Sequence, residues 1–357
     1  MRITHLHAIN FRNIKEVKIE PGQSVNVFTG PNASGKTAIL ESIHVLSRGK
    51  SFRASRVKDI IQHGQESLQV VATLESKASR LTSGIAKQQG KTTIHYDGET
   101  VKQLSKQAKN IPVLCVLPDS HQLITGDPKA RRHWMDWAMF HVKQDYLETW
   151  KTYHRALRHR NVLLKKTHND DELIGWERSM VDCAQSIDKE RRYFLSKIGD
   201  TVRPILIAEG WEEPEIGYEK GWPATQDLGD VLRDSRAQDK EVGYTRFGIH
   251  RSDITFKVNN NAVSRHYSRG QVKKYVACLI LSQLYVMRDL GGETPVFLVD
   301  DFAAEIDAHT RRRLVERLLD CGSQVFMTMT ELEPQTEEKR GITRFHVKHG
   351  TFDKVVE

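Results

Sequence analysis

The sequence has few cysteines, and their spacing excludes the common cysteine-based metal and redox centres. Its four cysteines lie far apart and form no Cys-x-x-Cys pair, which is the spacing of zinc ribbons and thioredoxin-type sites. None of its 16 histidines belongs to a His-Glu-x-x-His pattern, and we expect no zinc site. Such sparse cysteine is typical of a reduced, intracellular protein.

Long apolar runs are lacking too. The longest, at about residues 277–287, is short and interrupted by polar residues, whereas a membrane-spanning helix needs about 20 apolar residues. Polar residues recur through the N-terminal segment, unlike the apolar core of a secretory signal. We therefore expect a cytoplasmic protein that does not associate with membranes.

Charge, in contrast, is plentiful and tilted toward positive. Lys and Arg number 54 against 46 Asp and Glu, which gives a formal net charge of +8. This balance favours a polyanionic partner such as nucleic acid. The chain of 357 residues is long enough for two domains.

One stretch has the pattern that binds the phosphates of a nucleoside triphosphate. It follows an apolar run at residues 24–28 and precedes an amphipathic run at 38–46, so it joins a predicted strand to a predicted helix. Its eight residues are Gly30, Pro31, Asn32, Ala33, Ser34, Gly35, Lys36 and Thr37. The glycines let backbone N–H groups face the phosphates, Lys36 can reach the β- and γ-phosphates, and Thr37 can ligate Mg²⁺. We expect ATP and Mg²⁺ here, although a Gly-rich turn that caps a helix is the alternative.

Two adjacent carboxylates follow a second apolar run, at residues 295–299. A buried parallel strand there would deliver Asp300 beside the phosphate loop, where it can hold Mg²⁺ together with Thr37. Asp301 can polarise the attacking water, which makes Asp301 and Lys36 the predicted catalytic residues. Taken alone, the pair is equally consistent with an acidic turn after a strand.

The segment Ser268, Arg269, Gly270, Gln271 opens another predicted helix. Its hydroxyl and free N–H groups could bind a second phosphate, while a plain serine N-cap is the alternative. The order of phosphate loop, this segment, Asp300 with Asp301, and then Asp307 resembles the heads of ABC-type ATPases. In those heads a signature serine faces the γ-phosphate of a nucleotide held by a second head. With one loop and one signature, the resemblance implies a homodimer that encloses two ATP molecules.

Within that class the chain resembles the RecF family of DNA-repair ATPases over nearly its whole length. The segments that carry this resemblance are Asn10–Asn13, Gly30–Thr37, Ser51–Arg53, Gly126 with Pro128, Arg131–Arg132, Gly248–Asp253, Ser268–Gln271 and Asp300–Asp307. The resemblance implies an ATP-dependent clamp on single- and double-stranded DNA at gaps or junctions. Such a clamp would help the RecO and RecR mediators to load RecA during DNA replication, repair and the SOS response. The resemblance also implies nucleotide contacts by Arg12, Gln122 and Asp307. The alternative for Arg12 and Gln122 is that they are ordinary surface residues.

The chain departs from the family pattern in places that bear on catalysis. Ile249 stands where the family usually has proline, and no switch histidine follows the predicted strand at 324–328. Asp301 occupies the position of the usual glutamate and is one methylene shorter, so it would hold its water less well. We expect a weak, DNA-stimulated ATPase that works as a switch.

The predicted fold is α/β, an ABC-type P-loop ATPase head with a mixed sheet and a helical second lobe inserted between its halves. The head would comprise residues 1–125 and 241–357, and the helical lobe residues 126–240. Within the lobe, a helical pattern runs from 127 to about 166, and a second from 172 to 207 is ended or kinked by Pro204. Both are too short for a coiled-coil arm. Residues 211–223 resemble a loop, and residues 111–117 resemble a central strand.

Four groups of basic residues are candidates for phosphate contacts with DNA, without base recognition. They are Arg53, Arg56 and Lys58; Lys87 and Lys91; Lys102, Lys106 and Lys109; and Arg155, Arg158, Arg160, Lys165 and Lys166. A solvated surface is the alternative for each residue. The rival functions are the ATPase subunit of a membrane transporter, an ATPase-coupled nuclease and a chromosome-organising head. Two features disfavour a transporter subunit: Lys36 and Ser268 lie far apart in the sequence, and the helical lobe is basic. No further acidic cluster supports a nuclease, and no coiled-coil arms support a chromosome-organising head.

Overall fold

The computed structural model describes residues 1–76, 79–101, 104–166, 170–301, 308–330 and 341–355. These residues form two compact units. The first unit comprises Met1–Ser120 and the described residues from Glu293 onward, and the second comprises His121–Gly292. The lobe boundaries at residues 126 and 240 stay a prediction.

The strands of the described chain form three sheets. The strands are β1 (Arg2–Phe11), β2 (Ile14–Ile19), β3 (Val25–Thr29), β4 (Ser67–Glu75), β5 (Arg80–Gln88), β6 (Lys91–Tyr96), β7 (Glu99–Val101), β8 (Val113–Val116), β9 (Pro214–Glu219), β10 (Asp253–Val258), β11 (Asn261–Ala262), β12 (Val296–Val299), β13 (Val325–Thr328), β14 (Ile342–Lys348) and β15 (Thr351–Val355).

Both units contain helices. The helices are α1 (Lys36–Arg48), α2 (Leu104–Asn110), α3 (Gln122–Thr125), α4 (Pro128–Val142), α5 (Tyr146–Lys166), α6 (Asp171–Ala208), α7 (Leu228–Asp234), α8 (Arg236–Val242), α9 (Val263–His266), α10 (Arg269–Asp289) and α11 (Ala308–Asp320). None of them is both long and apolar enough to cross a membrane.

The first sheet is antiparallel, with the strand order β2-β1-β4-β5-β6-β7. Its alternation of buried and exposed side chains agrees with the antiparallel sheet predicted over residues 69–95. The predicted hairpin between β5 and β6 is present, but only one of its two lysines is free to meet a partner. Lys87 is 6% exposed and donates to Thr92 Oγ1 at 2.9 Å, whereas Lys91 is exposed.

The second sheet is mixed, with the order β15-β14-β3-β13-β12-β8. All neighbouring pairs are parallel except the hairpin of β14 and β15. The carboxyl ends of β3, β13 and β12 therefore lie at one edge of the sheet, the usual place of ligands in such folds. The expectation that residues 111–117 form a central strand is wrong, because β8 lies at the end of the order. An apolar run reports burial of a strand and carries no information about its rank in the sheet.

Helix α1 connects the two sheets of the first unit. It packs against β1, β4 and β5 on one side and β13 on the other, and nearly all of its residues are buried. Three phenylalanines of the second sheet continue this core. Phe28 stacks on Phe345 with ring centroids 5.0 Å apart and on Phe326 at 6.3 Å. The helix that begins at the phosphate loop is thus held on both faces.

The second unit is built around α6, which packs against α4, α5, α10 and β9. The pattern from 127 to 166 predicted one helix, but the chain is extended at Lys143 and forms α4 and α5 instead. Helix α6 has 38 residues and passes through Pro204 to Ala208, so the expectations of a short helix and of a helix end at Pro204 are wrong. A kink at Pro204 stays a prediction.

Residues 211–223 do not form only a loop. Strand β9 lies inside this segment and pairs with β10 in a sheet of order β11-β10-β9. Proline and glycine in the segment masked the strand in the sequence, because both residues are rare in strand interiors. A short edge strand tolerates them.

Arg160 is not a surface residue, which corrects its assignment as a DNA contact. On α5 it shares a face with the buried residues Tyr153, Ala156, Leu157 and Leu164, and it is 0% exposed. Its guanidinium donates to Glu177 at 3.1 Å, to Asp239 at 2.8 Å and to Thr245 Oγ1 at 2.8 Å. The helical spacing that suggested a basic stripe places this residue on the interior face.

Replacing Arg160 with alanine should strongly destabilise the second unit, because it removes the fully buried one of the two arginines that pair with each of the buried carboxylates Glu177 and Asp239. We expect a loss of about 3–5 kcal/mol in the free energy of unfolding. All six tryptophans lie in this unit, so their fluorescence during urea denaturation measures the effect. The exposed neighbour Arg158 provides the control, and Arg158→Ala should change stability by less than about 0.5 kcal/mol. Equal, small losses in both variants would contradict the interior role.

Candidate nucleotide-binding site

The predicted phosphate loop leaves β3 and turns sharply before α1. Its backbone has positive φ at Gly30 (144°), Ala33 (63°) and Gly35 (116°). A Cβ on Gly30 would lie 2.3 Å from the carbonyl oxygen of Val347. Only glycine fits this position, because both the space and the backbone angle exclude a side chain.

Donor groups in this loop are left without acceptors. The backbone N–H groups of Gly35, Lys36 and Thr37 meet no acceptor among the residues that the structure describes, and the first turn of α1 has neither a side-chain cap nor an acidic residue. The buried hydroxyl of Ser34 also lacks a partner there. Unsatisfied donors at a helix N-terminus form a favourable site for an anion.

Lys36 bends back over the loop. It is 8% exposed, and its Nζ donates to the carbonyl oxygens of Gly30 at 2.7 Å and Pro31 at 2.9 Å. Burial lowers the pKa of Lys36, while the charges of Asp301 and Asp300 oppose that shift. These neutral carbonyls are weak partners for an ammonium group, and phosphate oxygens would be stronger ones.

Asp300 lies directly beside Thr37, as the sequence predicted. The hydroxyls of Thr37 and Thr328 both donate to its Oδ1, at 2.8 and 2.9 Å. Asp300 is 4% exposed, and this burial raises its pKa, opposed by the two hydrogen bonds and the charge of Arg53. A hydroxyl and a carboxylate oxygen side by side are ligands that suit Mg²⁺. The residues present therefore fit the predicted metal.

Asp301 lies next to this pair and points toward solvent. It is exposed, its φ is 44°, and its backbone N–H donates to Thr328 Oγ1 at 2.9 Å. Thr328 thus contacts both acidic residues, a role that sequence reasoning missed. Its position at the carboxyl end of a predicted parallel strand was the available signal.

Most of the phosphate loop, together with Asp301 and Thr328, lines a cleft of about 1030 Å³ in the first unit. The walls come from the β1–β2 turn, the phosphate loop, the segments near Arg53 and Ile61, and the ends of β12 and β13. The lining residues are Arg12, Asn13, Asn32–Ala38, Arg53, Asp59, Ile61–His63, Asp301 and Thr328. The volume is at the upper end of the range for small-molecule and cofactor sites.

The remaining predicted site residues fall outside this cleft or outside the description. Gln122 begins α3 in the second unit and is exposed. Ser268 caps α10 in the same unit. Its Oγ accepts from the N–H of Gln271 at 3.4 Å, and Gln271 Oε1 accepts from the N–H of Ser268 at 2.9 Å. Ser268, Arg269 and Gln271 are exposed, and Gly270 is half-buried. Their roles toward a nucleotide stay predictions, and Asp307 lies outside the described residues.

Comparison with known proteins identifies the family. A family model described as the RecF/RecN/SMC N terminal domain matches residues 2–351. The DNA replication and repair protein RecF of Nitrosococcus oceani is 34% identical over all of both chains, and that of Hydrogenovibrio crunogenus is 35% identical over 98% of each. The chain belongs to the RecF family. The resemblance stated from the motifs is thereby confirmed.

Solved structures support the same assignment. The recombination mediator protein RecF of the RecFOR pathway, determined with ATP, has a TM-score of 0.88 and 25% identity and covers 99% of this chain and 97% of that one. The Smc head domain of Pyrococcus furiosus has a TM-score of 0.58 at 14% identity, covers 99% of this chain and 95% of that one, and is evidence for the fold alone. The predicted fold class, an α/β ABC-type ATPase head with a helical second lobe, is confirmed.

The buried charge of Asp300 should reduce the stability of the RecF-family chain. Because burial raises the pKa of this carboxyl group, the folded protein binds its proton more tightly than the unfolded chain does. The resulting penalty is full at pH values above the raised pKa and disappears as the pH falls through it. We therefore expect the free energy of unfolding of Asp300→Asn to exceed that of wild type by about 1 kcal/mol at pH 8. The difference should shrink as the pH falls through the raised pKa of Asp300.

Thermal unfolding without nucleotide or Mg²⁺ measures this difference. Asp320→Asn is the control, because it makes the same change at an acid near the end of α11, away from the cleft. Its effect should be small and should not follow the same pH profile. A less stable Asp300→Asn at pH 8 would contradict the penalty.

Proposed function

We propose that this RecF-family chain binds Mg²⁺-ATP in the cleft and that ATP brings two copies together on DNA. One observation carries the proposal. The hydroxyl of Thr37 and the carboxylate of Asp300, 263 residues apart in the sequence, lie 2.8 Å apart beside the phosphate loop. The loop supplies unpaired N–H groups and a lysine on the same side. This combination suits a triphosphate and its metal better than any other ligand class.

Each residue at the cleft would have a distinct task. Lys36 would exchange the carbonyls of Gly30 and Pro31 for phosphate oxygens, and the free N–H groups of the loop would hold the β-phosphate. Thr37 and Asp300 would hold Mg²⁺, which neutralises phosphate charge when bound. Asp301, with its backbone fixed by Thr328, would orient the attacking water.

Hydrolysis should be slow. A general base contributes about 10²–10⁴-fold when it is well placed, and Asp301 is one methylene shorter than the usual glutamate. ATP would then act as a switch, in which binding closes the dimer and hydrolysis, stimulated by DNA, opens it. The role of ATP hydrolysis would be to return the protein to its nucleotide-free state, and not to form a product.

The dimer follows from the number of motifs in one chain. Ser268, Arg269 and Gln271 are exposed at the start of α10, so a second copy could reach them. The serine of one copy would face the γ-phosphate bound by the other, and two ATP molecules would lie between the heads. The N-cap role of Ser268 leaves its hydroxyl proton available for that contact.

DNA would bind through phosphate contacts on exposed basic residues. Arg155, Arg158, Lys165 and Lys166 lie exposed on α5, and Arg56 and Lys58 are exposed in the first unit. Arg53 is exposed too, but it lines the nucleotide cleft. Such binding is independent of sequence and weakens steeply with salt. The relatives are named for DNA replication and repair and for the RecFOR pathway. The clamp of this chain would act in the cytoplasm on gapped or junction DNA. RecO and RecR would be its partners in loading RecA and in the SOS response.

Sedimentation of the purified protein with Mg²⁺-ATP tests this function. Wild type should be monomeric without nucleotide and dimeric with ATP, and the dimer should bind a gapped duplex more tightly than the monomer does. Lys36→Arg should stay monomeric, because the larger guanidinium cannot take the buried position of Nζ. The matched control is Lys15→Arg on the exposed face of β2, which should behave as wild type.

A monomer at saturating ATP would contradict the dimer switch, as would a dimer that forms equally without nucleotide. A dimer that forms with ATP but does not bind DNA more tightly than the monomer would support the ATP site and contradict the DNA clamp. Loss of DNA affinity between low and high salt, with no preference among duplex sequences, is the expected signature of phosphate contacts.

A further inference from the structure

Glu41 is a buried carboxylate that none of the roles above uses. It lies on α1 four residues after Thr37, one turn from the phosphate loop, and is 0% exposed. A carboxylate is rarely buried to this extent unless it is paired and hydrogen-bonded. Its partners therefore indicate what it does.

The first partner is Arg12, in the two-residue turn between β1 and β2. Arg12 Nε donates to one oxygen of Glu41 at 2.9 Å and Nη2 to the other at 2.7 Å. Nη1 donates to the carbonyl of Asp59 at 2.6 Å. A guanidinium has five N–H groups, so two remain for a ligand in the cleft that Arg12 lines.

The backbone of Arg12 is constrained as well. Its φ of 58° is uncommon for a residue with a side chain and costs about 1–3 kcal/mol. Its N–H donates to the carbonyl of Ile60 at 2.9 Å. The surrounding contacts hold the residue in this unfavourable conformation, and the bidentate pair with Glu41 is the strongest of them.

The second partner is Ser51, whose hydroxyl donates to Glu41 Oε1. With its proton engaged there, Ser51 Oγ accepts from the backbone N–H groups of Arg53 at 2.8 Å and Ala54 at 2.7 Å. The same carboxylate therefore fixes the turn that carries Arg53. Arg53 lines the cleft, and its charge acts on Asp300.

We propose that Glu41 is a positioning residue for the nucleotide, which holds Arg12 and the Arg53 turn so that two guanidinium groups meet the polyphosphate. This inference rests on the proposed ATP site and names a further determinant of its affinity. Arginines fixed before binding lose less conformational freedom when the ligand arrives. The negative charge of Glu41 also offsets the repulsion between Arg12 and the other cations of the cleft.

A double-mutant cycle on the full chain separates positioning from a merely structural role. Glu41→Gln keeps the shape of the side chain and removes its charge, and Arg12→Lys keeps the charge and removes the bidentate fork. We expect each variant to weaken Mg²⁺-ATP binding about tenfold by titration calorimetry. The double variant should lose less than the product of the two single losses, because both changes break the Arg12–Glu41 pair, while only Glu41→Gln also loosens the Arg53 turn.

Glu177→Gln is the matched control. Glu177 is also buried and pairs with two arginines, Arg160 and Arg236, but it lies in the second unit. It should lower the unfolding temperature and change ATP affinity by less than about twofold. If Glu41→Gln does not fold, Ser51→Ala and Arg12→Lys carry the test, and each should weaken ATP binding several-fold.

Wild-type ATP affinity in folded Glu41→Gln would overturn the inference and leave the proposed function standing. Losses that multiply in the double variant would overturn it too, because Glu41 would then act without Arg12. If wild type itself fails to bind ATP, the proposed function fails, and the positioning role fails with it.

Discussion

The parallel alignment of β3, β13 and β12 is the constraint on which the site depends. These strands end side by side, and the chain places Gly30, Thr328 and Asp300 just at those ends. The hydrogen bonds that Thr328 makes to Asp300 Oδ1 and the Asp301 N–H tie the ends together at 2.9 Å each. A shift of one residue in either register would move the acid away from Thr37. The core that fixes the registers, including the stacked ring of Phe28, is therefore part of the site.

Charge balance around the cleft follows from that geometry. Buried and half-buried cations and anions lie close together around the cleft, and each is held by short hydrogen bonds to neutral or opposite groups. Lys36 contacts carbonyls, Asp300 contacts hydroxyls, and Arg12 pairs with Glu41. Such an arrangement costs stability in the free protein, as buried charges do. A triphosphate with its metal would relieve that cost, which couples ligand binding to stability.

The sequence predicted the site where chemistry is encoded locally. The residues of the phosphate loop are contiguous, and Asp300 follows an apolar strand, so both could be recognised without knowledge of their tertiary contacts. Thr328 stands at the carboxyl end of a predicted strand, but its contacts with Asp300 and Asp301 depend on the order of the strands. Glu41 could not be found, because its role depends on residues far away in the chain and it belongs to no recognisable motif. Glu41 in a helix is indistinguishable from a solvated acid until the fold buries it.

The fold was predictable to a similar extent. Long periodic segments predicted helical structure and the strands beside the loop, but not the break between α4 and α5 at Lys143. The predicted position of β8 within its sheet was wrong, because strand order depends on tertiary contacts. Arg160 illustrates the same limit for a residue that was predicted at the surface and lies in the interior. Its spacing suited a basic surface stripe, yet the same spacing places it among Tyr153, Ala156 and Leu164 in the interior.

The most direct test of the central claim is the Mg²⁺ dependence of ATP binding in wild type and in Thr37→Val. Equilibrium titration at rising Mg²⁺ concentrations should show that the metal strengthens ATP binding to wild type. In Thr37→Val this strengthening should be lost, while metal-free affinity is retained, because the loop N–H groups and Lys36 are untouched. Equal Mg²⁺ dependence in both proteins, or no ATP binding by wild type, would contradict the account.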